Sequence, residues 1–292
     1  MTLPGLDVAA SSLASGFLLG GVLALTALGL SLVLGVMGLV NLAHGEFLVG
    51  GGYAALFLLR YTGIDPLAGL LLVGAFLAAV TFPLQRFLLA PLAGKGMEAP
   101  LLTMFAVSII LQNLFVAGFS ADTQSIERDY ANVPVRLGPV TVPEIYVIGF
   151  AISVVLIGLV HLLVAHTAFG RDLRASAADP RAAAALGVDV RRVHALTFAL
   201  GAACAGMGGA LIGIAFAFTP SSGATYLLID FAIVVIGGLG SILGTLLGGL
   251  AIGVLQSIGG VLLGDGYRDL VALAAFLLVL AVRPTGLGGA RA

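Results

Sequence analysis

Charge is what this sequence has least of. Asp, Glu, Lys and Arg make up 9% of its 292 residues, where a typical soluble protein carries roughly 25%. The 13 basic and 14 acidic side chains are too few to cover the surface of a soluble protein of this size. Intrinsic disorder is excluded as well, because it needs low hydrophobicity and high charge, and 60% of these residues are hydrophobic. Lysine is almost missing: Lys95 stands alone, and no basic tract exists that could hold a nucleic acid. A single cysteine, Cys204, excludes an intrachain disulfide. No Lys or Arg precedes Arg60, so the apolar start lacks the basic region of a secretory signal and reads as a retained span.

What is present is apolar sequence in long runs, with a mean hydropathy of +1.17. Uncharged stretches cover 8–45, 47–59, 66–85, 99–121, 145–170, 193–229, 231–264 and 270–282. A helix needs about 20 apolar residues to span the hydrocarbon core, and the first, sixth and seventh stretches are long enough for more than one crossing. The pattern predicts an all-α, polytopic transmembrane bundle of eight or nine membrane segments, some of them broken by glycine or re-entrant. It forms a single unit over residues 1–292. Glycine occurs 42 times, with small-residue spacing at Gly16/Gly20, Gly209/Gly213, Gly240/Gly244 and Gly249/Gly253, as suits closely packed membrane helices.

Arginine placement gives an expected orientation. With the N-terminus outside and nine crossings, the inner side receives Arg86, Lys95, Arg171, Arg174, Arg181, Arg191, Arg192, Arg283 and Arg291, and the outer side Arg60, Arg128, Arg136 and Arg268. Tyr61, Tyr146, Tyr226 and Tyr267 then fall at the outer boundary. The C-terminus comes out on the inner side. Two connections are long: a polar outer loop over 119–143 and an arginine-rich inner loop over 168–192.

Three constellations stand out. In the inner loop, Asp179 and Pro180 have the form of an N-cap and first helical residue, and Gly187 sits where a C′ residue belongs. The loop is therefore expected to carry a short helix over 179–186, flanked by Arg171, Arg174, Arg191 and Arg192. It either fits a groove on a soluble partner or is simply solvated. The second constellation, Asn41, His44 and Glu46, interrupts an apolar run near Gly35, Gly38 and Gly45. It reads as a break lining a solute route, or as an interfacial start of the next helix. The third, Asp230, precedes the glycine-rich turn 237–241. It reads as an N-cap at the outer surface or as the edge of a broken helix, with 231–264 forming two short crossings or a re-entrant pair.

Enzyme and metal motifs are not found. Lys95 is followed by glycine rather than Ser or Thr, so no Walker A loop exists, and GxGxxG, HExxH and CxxC are missing. His161 and His166 are five apart and Cys204 has no partner, so no metal site is expected.

The run 29–55, GLSLVLGVMGLVNLAHGEFLVGGGYAA, closely resembles the N-terminal signature of LivH-type permeases of branched-chain amino acid ABC importers. The inner loop Gly170–Gly187 resembles that family's cytoplasmic coupling loop. Residues 234–254 resemble its glycine-rich late segment, and Arg283-Pro-Thr-Gly-Leu resembles its usual ending. Departures are small: Ser176 and Ala178 replace bulkier or more polar residues, and Ile242-Leu243 stands where a proline is usual.

The resemblance implies an ABC importer permease fold in a bacterial inner membrane, translocating amino acids, most of all branched-chain ones, delivered by an extracytoplasmic solute-binding protein. It further implies a second permease of the LivM type and two cytoplasmic ATP-binding subunits that use the ATP, with no cofactor bound by this chain and no catalysis of its own. Asn41, His44, Glu46 and Asp230 are then candidates for the substrate pathway. Arg171, Arg174, Asp179, Pro180, Arg181, Ala182, Gly187 and Arg191 are candidates for coupling to the ATPases. The competing reading is a self-sufficient secondary transporter or channel for a small polar solute.

Overall fold

A stretch without charge or proline has little reason to leave the helix, and most of 8–45 forms one, up to Gly38, which caps it at φ +62°. In the computed structural model, which describes residues 5–92, 95, 96, 98–131 and 133–282, α1 (Leu6–Met37) runs unbroken for 32 residues. It is apolar on every side, and Ala24, Leu25, Ala27, Leu28 and Leu30 are fully buried. The helices that follow are α2 (His44–Thr62), α3 (Leu70–Pro83), α4 (Glu98–Phe119), α5 (Glu144–His166), α6 (Ala168–Ala178) and α7 (Pro180–Ala185). The last four are α8 (Val190–Ala215), α9 (Gly223–Gly237), α10 (Ile242–Leu263) and α11 (Arg268–Val282). Pro83 lacks the N–H that an α-helix would use, and after it the chain widens into a π-helical turn over Leu84–Leu89 before a 3-10 turn at Ala90–Leu92.

Seven helices among the described residues are long and apolar enough to cross a membrane: Asp7–Met37, Leu70–Leu92, Glu98–Phe119, Glu144–His166, Val190–Ala215, Pro220–Gly237 and Ile242–Leu263. The chain is a multi-pass helical membrane protein. Beside these, α2 has 19 residues with Glu46 and Arg60 near its ends, and α11 has 15.

The centre of the bundle is α1, α2 and α8. Cys204 of α8 is fully buried there, and Phe198 of α8 meets Phe47 of α2 edge-on. Around them α4 and α5 expose most of their surface, including Phe105, Ile110, Val155 and Leu159. In water such faces would be a fault; in hydrocarbon they are the proper surface.

The most extensive helix pair is α1 with α10. A Cβ on Gly20 would lie 2.6 Å from the Gly249 carbonyl oxygen, and one on Gly249 would lie 2.6 Å from that of Gly20. Ser257 of α10 donates to the Ser12 carbonyl at the end of the same seam. Only glycine lets the two backbones touch, which is how membrane helices gain dispersion contact where no hydrophobic effect separates them from lipid.

The arginines sort by end. Arg60, Arg128, Arg136 and Arg268 lie at the end where α1 begins, where the Thr141 N–H donates to Ser11 Oγ at 3.0 Å. Arg171, Arg174, Arg181, Arg191 and Arg192 lie where α1 finishes, and there Val36, Leu173 and Val193 form a small buried cluster. Arg283 and Arg291 lie outside the described residues.

The 119–143 connection is more structured than a polar loop. Strands β1 (Pro134–Leu137) and β2 (Val140–Pro143) pair antiparallel. Gly138 at φ +65° followed by Pro139 gives the two-residue turn that matches strand twist. The loop is tied down by Asp65, whose Oδ2 accepts from Arg128 Nη2 at 2.7 Å and Nε at 2.9 Å, while Tyr130 OH donates to Oδ1 at 3.0 Å. Gln124 also pairs with Phe218 and accepts from Arg60 Nη2 at 2.8 Å.

Two outcomes follow. Gly249→Val should lower the thermal stability of the detergent-solubilised protein by several degrees. Gly158→Ala, on an open face of α5 with nothing within 4 Å of an added Cβ, should leave it unchanged or raise it slightly. Partial burial works against the Asp65 carboxylate, but the Leu67 N–H, Tyr130 and Arg128 together hold its pKa below the ordinary value. A depressed folded-state pKa means the tie is complete above about pH 4 and is lost as pH falls through the folded value. Proteolytic cleavage or amide exchange within 122–131 should therefore accelerate only below about pH 4. Acceleration already at pH 6 would show that Asp65 does not hold the loop.

Candidate functional site

Helix α1 ends at Met37, and residues 38–43 run without helix before α2 starts at His44. Asn41 is buried, and its Oδ1 accepts the Ala43 N–H at 3.1 Å, which closes this approach. From the other end of the bundle, α8 stops at Ala215 and the chain turns back through an extended stretch and a 3-10 turn at Pro220–Ser222. Helix α9 then starts at Gly223. The two starts touch: a Cβ on Gly223 would meet the Gly45 carbonyl carbon at 3.0 Å, so neither position has room for a side chain.

Three helices are tied together at this junction. His44 Nε2 lies 3.1 Å from the Thr26 carbonyl oxygen of α1 and 3.3 Å from Asp230 Oδ2 of α9. A carbonyl can only accept, so Nε2 carries a proton. Thr26 Oγ1 lies 2.7 Å from Asp230 Oδ1 and 2.8 Å from the Leu23 carbonyl oxygen, so its one proton is shared between two acceptors. His44 and Asp230 are each only 1% exposed. A carboxylate this deep is tolerated only because it is partnered.

Glu46 is 4% exposed and solves a different problem. It sits in the first turn of α2, and its Oε1 would lie 2.9 Å from a Cβ on Gly223, at the first residue of α9. Ser222, the residue before α9, makes no side-chain cap. Glu46 therefore places a carboxyl group beside two helix starts at once, where backbone N–H groups lack partners within their own helix. Its Oε2 has no hydrogen-bond partner among the described residues.

Two sequence expectations are corrected here. Asp230 is neither a surface N-cap nor a helix edge: α9 starts seven residues earlier, after the turn in which Ser222 Oγ accepts the Thr219 N–H, and Asp230 lies mid-helix. The 231–264 stretch is also not two short crossings or a re-entrant pair. The break at 238–241, with Gly238 and Gly240 at φ +95° and +76°, separates α9 from α10, a single helix of 22 residues. The structure brings His44, Glu46 and Asp230 together, with Asn41 on the approach. Sequence reasoning missed Thr26, although a hydroxyl inside an otherwise apolar span is a polar-partner signal.

The arginine-rich end carries the second cluster. Asp179 Oδ1 accepts from the Arg181 and Ala182 N–H groups at 2.8 and 3.1 Å, Pro180 opens α7, and Gly187 follows at φ +92°. The short helix stands where the sequence puts it. Arg171, Arg174, Arg181, Ala182 and Arg191 are exposed, and Arg174 donates to the Val164 carbonyl in the last turn of α5. Leu186 at the tip is 87% exposed. Missed in the sequence was α6, capped by Thr167, whose side chain accepts the Gly170 N–H at 3.2 Å. Its buried Gly170, Leu173 and Ser176 follow the helical period and were the available signal.

A double-mutant cycle of Thr26→Val with Asp230→Ala should give a coupling between about 0.6 and about 1.7 kcal/mol, the average and the maximum for polar pairs between membrane helices. Reversible unfolding in mixed micelles reads it out. Strict additivity would mean the two groups do not interact.

The family described as "Branched-chain amino acid transport system / permease component" matches residues 12–280. The high-affinity branched-chain amino acid transport system permease protein BraD of Pseudomonas aeruginosa is 31% identical over 291 residues, covering 95% of this chain and 94% of that protein. LivH of Escherichia coli K12, which carries the same description, is 30% identical, with 94% of each chain covered. A probable branched-chain amino acid transport permease LivH of Methanocaldococcus jannaschii is 31% identical over 91% of this chain and 88% of its own. No solved structure matches the chain. A bundle of apolar helices, a buried polar junction and family identity over nearly the whole length lead to one conclusion: the chain belongs to the permease components of branched-chain amino acid transport systems.

Proposed function

We propose that this permease imports branched-chain amino acids across a bacterial inner membrane, with the N-terminus and the β-hairpin outside and the arginine-rich end in the cytoplasm. Its partners are a second permease of the LivM type, two ATP-binding subunits and an extracytoplasmic binding protein that delivers the solute. The orientation rests on the segregation of arginines between the two ends.

The observation that carries the coupling role is α7: a capped helix whose exposed tip presents Leu186, flanked by Arg181 and Arg191. An exposed large apolar side chain among cations suits a docking contact with a soluble partner. Closure of the ATPase pair pushes α7, and the push reaches α1 and α8 through α6, where Leu173 packs with Val36 and Val193. Because α1 also holds Thr26, movement of its cytoplasmic half loads the junction with His44 and Asp230. Rocking of these helices then switches access to a central route. Asn41, His44, Glu46 and Asp230 govern that route as positioning residues, since all four are buried.

The buried His44–Asp230 pair also suits an ion-coupled carrier, and energy dependence separates the two readings. In proteoliposomes holding the assembled complex, leucine uptake should require ATP and the loaded binding protein. Leu186→Glu should leave the chain folded by size exclusion while cutting uptake at least tenfold. Uptake undiminished in that variant would overturn the coupling role, and uptake without ATP would favour the carrier.

A further inference from the structure

The end of the bundle that carries the hairpin holds a cleft of about 410 Å³ between α1, α9, α10, α11 and the end of α8. That lies within the roughly 300–1,000 Å³ of small-molecule sites. We propose that this cleft binds the charged head and aliphatic side chain of an α-amino acid before the solute passes the His44–Asp230 junction. The proposal rests on the import reading and names the place where the permease first holds its solute.

The charges are laid out for a zwitterion. Arg268 is weakly engaged: among the described residues the one carboxylate within 4 Å is that of Asp265, 3.9 Å away and 92% exposed. A guanidinium in that state is free to take a carboxylate through two parallel hydrogen bonds. Asp269, the next residue, accepts the amide N–H of Gln256 at 2.9 Å. Gln256 is itself 5% exposed, so it acts as a buried post that fixes the Asp269 carboxylate at the cleft. One accepted hydrogen bond leaves a carboxylate with capacity for an ammonium group. Tyr226 belongs to the same lining.

Ser222 and Thr225 add hydroxyls to the lining, and the floor of the cleft is aliphatic. Leu19, Leu23, Ile212 and Ile229 line it and none is more than 4% exposed. A packed apolar floor with opposite charges above it selects a solute that carries both charges and a branched or straight hydrocarbon chain. The floor is also continuous with the junction. The Leu23 carbonyl shares the Thr26 hydroxyl proton with Asp230, and Ile229 immediately precedes Asp230. A solute resting on Leu23 and Ile229 thus lies on the same two helices that the junction locks.

Photolabelling of the assembled transporter in nanodiscs with a diazirine analogue of L-leucine tests this. Label is expected on peptides containing 212–229 and 256–269. L-leucine should compete, whereas 4-methylpentanoate and isoamylamine, each missing one charge, should not. Arg268→Gln should reduce the labelling at least tenfold. Arg268→Lys, which keeps the charge and loses the fork, should label between that variant and wild type. Co-purification of the partner subunits checks that each variant is assembled. Label confined to other segments, equal competition by the singly charged analogues, or unchanged labelling in Arg268→Gln would each overturn the proposal. Failure of the wild-type complex to take up leucine with ATP would instead overturn the import reading, whatever the labelling shows.

Discussion

Every helix begins with backbone N–H groups that no residue of the helix can satisfy, and here two such beginnings face each other away from water. The starts of α2 and α9 touch through Gly45 and Gly223, and the Glu46 carboxylate lies beside both. Much else in the bundle depends on this meeting. It requires the chain to run back from the end of α1 through 38–43 and from the end of α8 through 216–222, so α2 is drawn into the centre. It sets His44 where it can reach both Thr26 and Asp230, which binds α1, α2 and α9 at one point.

Around that point the bundle is assembled by shape more than by polarity. Dispersion contacts fall off steeply with distance, so helices in lipid gain most where backbones come closest. The Gly20–Gly249 contact provides this for α1 and α10. The outer helices need less, and α4 buries only Pro100, Met104 and Val107 among its described side chains. The protein is thus graded from a densely packed centre to a lipid-facing rim.

The apolar runs, the breaks between them and the segregation of arginines were legible in the sequence because each follows from a local rule: span length, glycine, and charge side. The helix at 180–185 was legible for the same reason, since Asp179, Pro180 and Gly187 are local signals. Asp230 was misread because its depth is set by where α9 begins, seven residues upstream, and that start depends on a contact with Gly45 from a different helix. No neighbouring residue reports such a contact. Thr26 was passed over for the same reason: one hydroxyl among apolar neighbours shows that a partner exists but not which one. The hairpin at 134–143 escaped because four-residue strands give little periodicity, although Gly138-Pro139 marked its turn.

Cys204 sits fully buried in α8 within the locked centre, and it is the chain's one thiol. A membrane-permeant alkylating reagent therefore has nothing to react with while α1, α2 and α8 stay closed. Any conformation that parts these helices becomes chemically marked at a single known atom. The native protein thus carries its own clock for opening, and a cysteine added at its surface would be the only reactive one in the resting state.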